Sequence, residues 1–208
     1  MPREHRRHLN MIRDFQPADL ITLLNGFSGM GAVLAILRYQ GDRNVHALWT
    51  AFILLPIALI FDMADGWIAR KQGRVSALGQ ELDSLADLIS FGVAPASLAF
   101  ALGMDGGWDA VVLLYFVGCG ISRLARFNAT AAELADVRGK VKYFEGTPIP
   151  TSLVLVALLA VLAGNGLVGD HLPLRSTKLW FWEIHWLVLL WGLSGTAMIS
   201  KTLRIPKP

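Results

Sequence analysis

Six apolar runs, separated by short polar connections, set the pattern of this chain. They cover roughly 19–38, 46–69, 83–104, 108–128, 149–168 and 181–201, and each approaches the ~20 residues that a helix needs to cross a hydrocarbon layer. The connections "YQGDRN", "ARKQGR", "MDGGWD", "ATAAELADVRGKVKYFEG" and "GDHLPLRSTK" carry turn formers or charge. The pattern predicts an all-α integral membrane protein with six transmembrane helices over 19–208, with neither an internal repeat nor room for a separate soluble domain. Residues 1–18 are predicted to form a short interfacial helix, with Met11, Ile12 and Phe15 toward lipid and Arg6, Arg7 and Arg13 toward phosphates. A disordered basic tail is the competing reading of that segment. No small-residue cleavage site follows it, so no removable signal peptide is expected.

Composition agrees. The 208 residues are 54% hydrophobic and 17% charged, with mean hydropathy +0.48, too apolar for an ordinary soluble domain. A net charge of +3 would suit nucleic acid if it were concentrated, but the basic residues are dispersed between apolar runs, so no nucleic-acid partner is expected. Taken in alternate segments, fifteen Lys and Arg lie on one side and four (Arg38, Arg43, Arg175, Lys178) on the other. The positive-inside rule then places both termini, and the turn within 61–92, on the cytoplasmic face of a cell (cytoplasmic or inner) membrane. The lone Cys119 excludes an intrachain disulfide and a cysteine metal cluster.

The chemistry is concentrated in "FDMADGWIARKQGRVSALGQELDSLADLISFG", residues 61–92. At 100° per residue Asp62 and Asp65 lie about 60° apart and Asp83 and Asp87 about 40° apart, so each pair projects from one helix face. A helical hairpin brings the two faces together. Ionised carboxylates beside hydrocarbon are costly and repel one another, which calls for a cation. Arg70 alone is outnumbered; protonation, as in a proton relay, and hard divalent ions with all-oxygen ligands are the other two solutions. Gly66 and Gly79 leave side-chain-free surface beside the acids, where a nucleotide approaches or where helices simply pack closely.

Together the positions read Asp62, Asp65-Gly66, Ala69-Arg70, Gly79, Asp83 and Asp87. This resembles, without departure, the signature of the CDP-alcohol phosphatidyltransferase family, membrane enzymes that move a phosphatidyl group from a CDP-linked lipid to an alcohol. The resemblance implies two divalent ions, Mg²⁺ or Mn²⁺, held by Asp62, Asp65, Asp83 and Asp87, with Asp87 also the catalytic base. It further implies that Asp65, Gly66, Ala69, Arg70, Ser76 and Gly79 meet the CDP-lipid, and that Thr22 and Asn25 in "DLITLLNGFSG" face the same site. Hydrogen bonding between helices is the alternative role for those two. A homodimer is also implied, although the small residues of "NGFSGMGAVLA" serve intrachain packing equally well.

The acceptor alcohol is read from other segments. "LISFGVAPA", "RLARFNA" and "KYFEGTPIPTS" resemble the branch that uses CDP-diacylglycerol and L-serine. A zwitterionic amino acid needs a cation for its carboxylate and an acceptor for its ammonium, and Arg123, Arg126, Asn128 and Glu145 offer both. For the arginines, anchoring to lipid headgroups is the competing role. Another acceptor (inositol, glycerol phosphate) or an ether-lipid donor stands as the alternative within the family. An ion channel or transporter is the alternative outside it, and that would spread carboxylates through the bilayer depth. Trp180, Trp182, Trp186 and Trp191 read as interfacial or packing rings, and none of His5, His8, His46, His171 and His185 is assigned to catalysis.

Overall fold

The computed structural model describes residues 16–72, 77–135, 143–200 and 204–206. Most of the expected interfacial segment therefore lies outside the described residues, as does Ser76, and Pro17 and Ala18 already belong to the first helix.

Helix α1 (Pro17–Asp42) starts where its sequence dictates. Pro17 takes the first helical position, where its missing N–H is no loss, and the Asp19 carboxylate accepts the Gln16 N–H at 2.8 Å. The helix stops at Arg43, which adopts a left-handed φ of 53°. Asn44 then caps α2 (Val45–Gln72), its side-chain oxygen accepting the His46 N–H at 2.9 Å. The two helices pack along most of their length. On α1 the polar residues Asp19, Thr22, Asn25 and Ser28 recur at three-residue intervals and all are buried, while Leu20, Leu24 and Phe27 face outward. That is the inverse of a water-soluble helix, and it is stable only with lipid outside.

A third rod runs through α3 (Ala77–Asp87), a π-helical turn (Leu88–Val93) and α4 (Ala94–Ala101). Pro95 lacks the N–H that would bond the Phe91 carbonyl. Just before it the ladder widens, and the Ala94 N–H reaches back to Ile89. Helix α1 meets this turn at Gly29, where an added Cβ would lie 2.7 Å from Ser90 Cα and overlap the Ser90 hydroxyl. Helix α5 (Gly107–Ala135) follows, then α6 (Ser152–Gly164) and α7 (Leu189–Ile199). Helices α5 and α7 approach closely at Gly195, whose added Cβ would sit 3.1 Å from Phe116 Cα. Phe91, Leu98, Phe116, Ile149 and Trp191 fill the centre of the bundle.

Among the described residues four helices are long and apolar enough to cross a membrane: Pro17–Asp42, Val45–Lys71, Leu78–Ala101 and Gly107–Ala129. The fifth and sixth runs form shorter apolar helices, Ile149–Gly164 and Trp186–Ile199, each opened by a 3-10 turn. Here the structure departs from the expected 149–168 and 181–201. Residues 182–185 are not helical: β2 (Ser176–Leu179) pairs antiparallel with β3 (Trp182–His185) across the two-residue loop Trp180–Phe181. Thr177 opposite Ile184 supplies a β-branched cross-strand pair that outcompetes one more helical turn. A second small ladder joins β1 (Tyr143–Glu145) to β4 (Arg204–Pro206). The fold is therefore mostly helical rather than all-α.

Candidate active site

The four motif aspartates sit on two consecutive helices, near the C-terminus of α2 and along α3. Packing of α1 against both rods brings α1's polar residues to the same end of the bundle. Asp62, Asp83 and Asp87 converge, each offering a carboxylate oxygen within 4.8 Å of the others. Asp65, one turn from Asp62 on α2, stands beside this trio and turns toward Thr22 of α1. The expected two facing pairs are thus three converging carboxylates with a fourth alongside.

Their hydrogen bonding is incomplete. Asp65 Oδ2 and Asp83 Oδ1 are buried with no hydrogen-bond partner. Asp87 is better held: the Asn25 side-chain amide donates to its Oδ1 at 3.0 Å, and Asn25 is fully buried. Asn25 is fixed in turn, because the Ser90 hydroxyl, one turn beyond Asp87, donates to its backbone carbonyl at 3.0 Å. Thr22 bonds back to the Ala18 carbonyl at 3.1 Å. Both α1 residues named from sequence therefore reach the site, and Asn25 does so through an interhelical hydrogen bond. Converging carboxylates that keep buried oxygens without donors, as Asp65 and Asp83 do, are the set a hard divalent cation takes, so the residues present fit the ions that the signature implies.

The nucleotide side is more open. Arg70 is exposed, and its guanidinium folds over Gly66 one turn back, 3.4 Å from where a Cβ on that glycine would lie. Ala69 is half-buried next to it, and Gly79 is half-buried one turn before Asp83.

The acceptor candidates separate. Arg123 of α5 has its Nε buried without a hydrogen-bond partner, and it lies within electrostatic reach of Asp87. Arg126, three residues on, is exposed. Asn128 is engaged with α3: its amide donates to Ser84 Oγ at 3.0 Å, and its oxygen accepts from Gln80 Nε2 at 3.2 Å. Glu145 ends β1 in register with Arg204. Ser90 was missed from sequence. Its signal was its place three residues after Asp87, on the same helical face.

The sequence profile of the CDP-alcohol phosphatidyltransferases matches residues 15–196. Over 206 residues the chain is 45% identical to a CDP-diacylglycerol--serine O-phosphatidyltransferase of Saccharomyces cerevisiae, covering 97% of this chain and 74% of that one. It is 40% identical over 142 residues to an archaetidylserine synthase of Methanothermobacter thermautotrophicus, covering 67% of this chain and 55% of the relative. It is 34% identical over 205 residues to a CDP-diacylglycerol--serine O-phosphatidyltransferase of Mycobacterium leprae, covering 97% and 60% respectively. The chain thus spans a little over half the length of the latter two.

Proposed function

Because the chain belongs to the CDP-alcohol phosphatidyltransferase family, we propose that it transfers a phosphatidyl group from CDP-diacylglycerol to the hydroxyl of L-serine, giving phosphatidylserine and CMP. One observation carries the reading: three aspartates converge at one end of a membrane bundle, with unfilled buried oxygens beside them and the unpaired Arg123 Nε nearby. The names of the similar proteins supply the acceptor.

Asp62, Asp65, Asp83 and Asp87 would hold two divalent ions, Mg²⁺ or Mn²⁺, which when bound offset the charge of the pyrophosphate and of the transition state. The side-chain-free surface at Gly66 and Gly79, with Ala69, receives the cytidine nucleotide. Arg70 and Ser76 contact it or its phosphates, and Thr22 and Asn25 close the site from α1. Asp87, gripped on Oδ1 by Asn25, has its second oxygen for the proton of the serine hydroxyl. The serine oxygen attacks the phosphorus bearing the lipid, the bond to the bridging oxygen breaks in line, and CMP leaves with that electron pair. Arg123 takes the serine carboxylate or the lipid phosphate, with Arg126 and Glu145 at the periphery. Asn128 contributes by holding α5 against α3 rather than by touching serine.

The arrangement that suits this chemistry has six spans, Ile149–Gly164 and Trp186–Ile199 included, with both termini and the site on the cytoplasmic side, as the distribution of Lys and Arg supports. We take the functional unit to be a homodimer. The similarity to an archaetidylserine synthase favours a second reading only for the donor, whose lipid would then be ether-linked.

The test is CMP release by purified protein given CDP-diacylglycerol, Mn²⁺ or Mg²⁺, and a panel of alcohols. Serine-dependent release that stops in excess chelator is the expected result. Release with inositol or glycerol phosphate but not serine overturns the acceptor, and full activity in chelator overturns the metal site.

A further inference from the structure

The β2–β3 hairpin lies at the end of the bundle away from the aspartates, against the start of α5. Its loop is unusual. Trp180, the first loop residue, has a left-handed φ of 61°, a conformation that hairpins normally give to glycine. Trp180 and Phe181 are 89% and 90% exposed, with ring centroids 5.9 Å apart. Two large rings are thus presented outward on a strained backbone, scarcely covered by any of the described residues.

The hairpin is nevertheless rigidly mounted. Asp109 of α5, fully buried, accepts the His185 backbone N–H at 2.8 Å and meets His185 Nδ1 at 2.6 Å. Trp108 Nε1 donates to the Leu179 carbonyl at 3.0 Å, and Trp186 Nε1 donates to Thr177 Oγ1 at 3.0 Å. A mobile aromatic loop would be a by-product of sequence; a stapled one holds its tip at a set height.

That height follows from helix length. Ile149–Gly164 and Trp186–Ile199 rise only about 24 and 21 Å at 1.5 Å per residue, against a hydrocarbon layer of about 30 Å. Helices that fall short draw their flanking segments down to the membrane boundary. The hairpin joins their far ends, Trp186, Leu189 and Leu193 at the start of the last helix are likewise exposed, and so are Lys178 in the hairpin and Arg175 just before it. Aromatic rings with adjacent cations suit the zone where acyl chains meet phosphates. We propose that the Ser176–His185 hairpin is a lipid anchor, with the Trp180–Phe181 tip seated in the headgroup boundary of the leaflet opposite the acidic site. This rests on the six-span arrangement proposed above.

The full chain is tested in bilayers of phosphatidylcholine and phosphatidylglycerol, comparing wild type with Trp180→Gly. Glycine suits the left-handed turn, so the variant removes the ring without straining the loop. In the wild type, lipids brominated near the headgroup should quench a blue-shifted component of Trp emission, and that component should be lost in the variant. A nitroxide on Trp180→Cys, in a Cys119→Ser background, reads the same depth independently, relaxed by oxygen rather than by an aqueous nickel chelate. A red-shifted component quenched by iodide from water overturns the anchor. So does protection from both quenchers with cross-linking of Trp180→Cys between two copies, which would make the tip a protein contact. CMP release is followed in the same bilayers: water-exposed rings with intact serine-dependent release sink the anchor and leave the transferase reading standing.

Discussion

Both ends of the bundle bury aspartates, and the two burials differ in kind. At the hairpin end Asp109 is fully buried, and its two oxygens accept the Gly106 N–H at 2.9 Å and the His185 N–H at 2.8 Å and meet the imidazole of His185. At the other end Asp65 and Asp83 each keep a buried oxygen with no partner, and Asp62, Asp83 and Asp87 crowd one another. A buried carboxylate is tolerated when its acceptors are filled and costly when they are not. Asp109 is complete without a ligand and so reads as structure. The cluster is complete only with something added, and so reads as function.

The sharpest way to break this contrast is to alter one residue at each end. Asp87→Asn keeps the size of the side chain but cannot take a proton, so serine-dependent CMP release should fall about 10³-fold, while a CDP nucleotide still binds in the presence of metal. A near-normal rate would remove Asp87 as the base. Asp109→Ala should do the reverse. It leaves two backbone N–H groups and an imidazole without their acceptor, for a loss of about 3 kcal/mol in stability, visible as a lower thermal midpoint in detergent. The protein that remains folded should turn over normally, and a selective loss of turnover would show that the hairpin end takes part in the reaction.

Asn25, at the acidic end, ties the contrast to α1. Asn25→Ala removes the donor that the described residues give Asp87. It should lower kcat about tenfold, equivalent to about 1.4 kcal/mol for one charge-assisted hydrogen bond, with little change in stability relative to Asp109→Ala. Equal damage to stability and rate would mean that Asn25 serves only to join helices.

The acidic end was legible in the sequence and the hairpin end was not, for a physical reason. Asp62 to Asp87 lie within one helical hairpin, where spacing at 3.6 residues per turn translates directly into shared faces. Asp109 and His185 are 76 positions apart, and no local pattern announces that pair. The stretch 176–185 misled because its apolar half, read with the following run, extends a helical span; only cross-strand pairing with Ser176–Leu179 makes it a strand. The π-turn was likewise hidden, although Pro95 marked where the ladder had to change. For Asn128, the groups that a zwitterionic acceptor needs pointed to serine, whereas the helix opposite it supplies hydrogen-bond partners.

That last residue gives the smallest expected effect and the finest discrimination. Asn128 sits on the helix that carries Arg123, within reach of the site, so a ligand role and a positioning role both predict that Asn128→Ala is slower. They differ in how. A residue that grips serine lowers ground-state binding, and its loss raises KM with kcat kept. One that holds α5 to α3 through Ser84 and Gln80 loses two partly buried hydrogen bonds, for about 1 kcal/mol of stability. Arg123 then shifts relative to Asp87, and kcat falls while KM for serine stays within about twofold. Asn128→Gln, one methylene longer, would not restore the bonds to both partners, and Ser84→Ala should reproduce part of the loss without touching Asn128. If Ser84→Ala is silent while Asn128→Ala raises KM for serine, Asn128 belongs among the acceptor ligands and the helix-to-helix bonds are incidental.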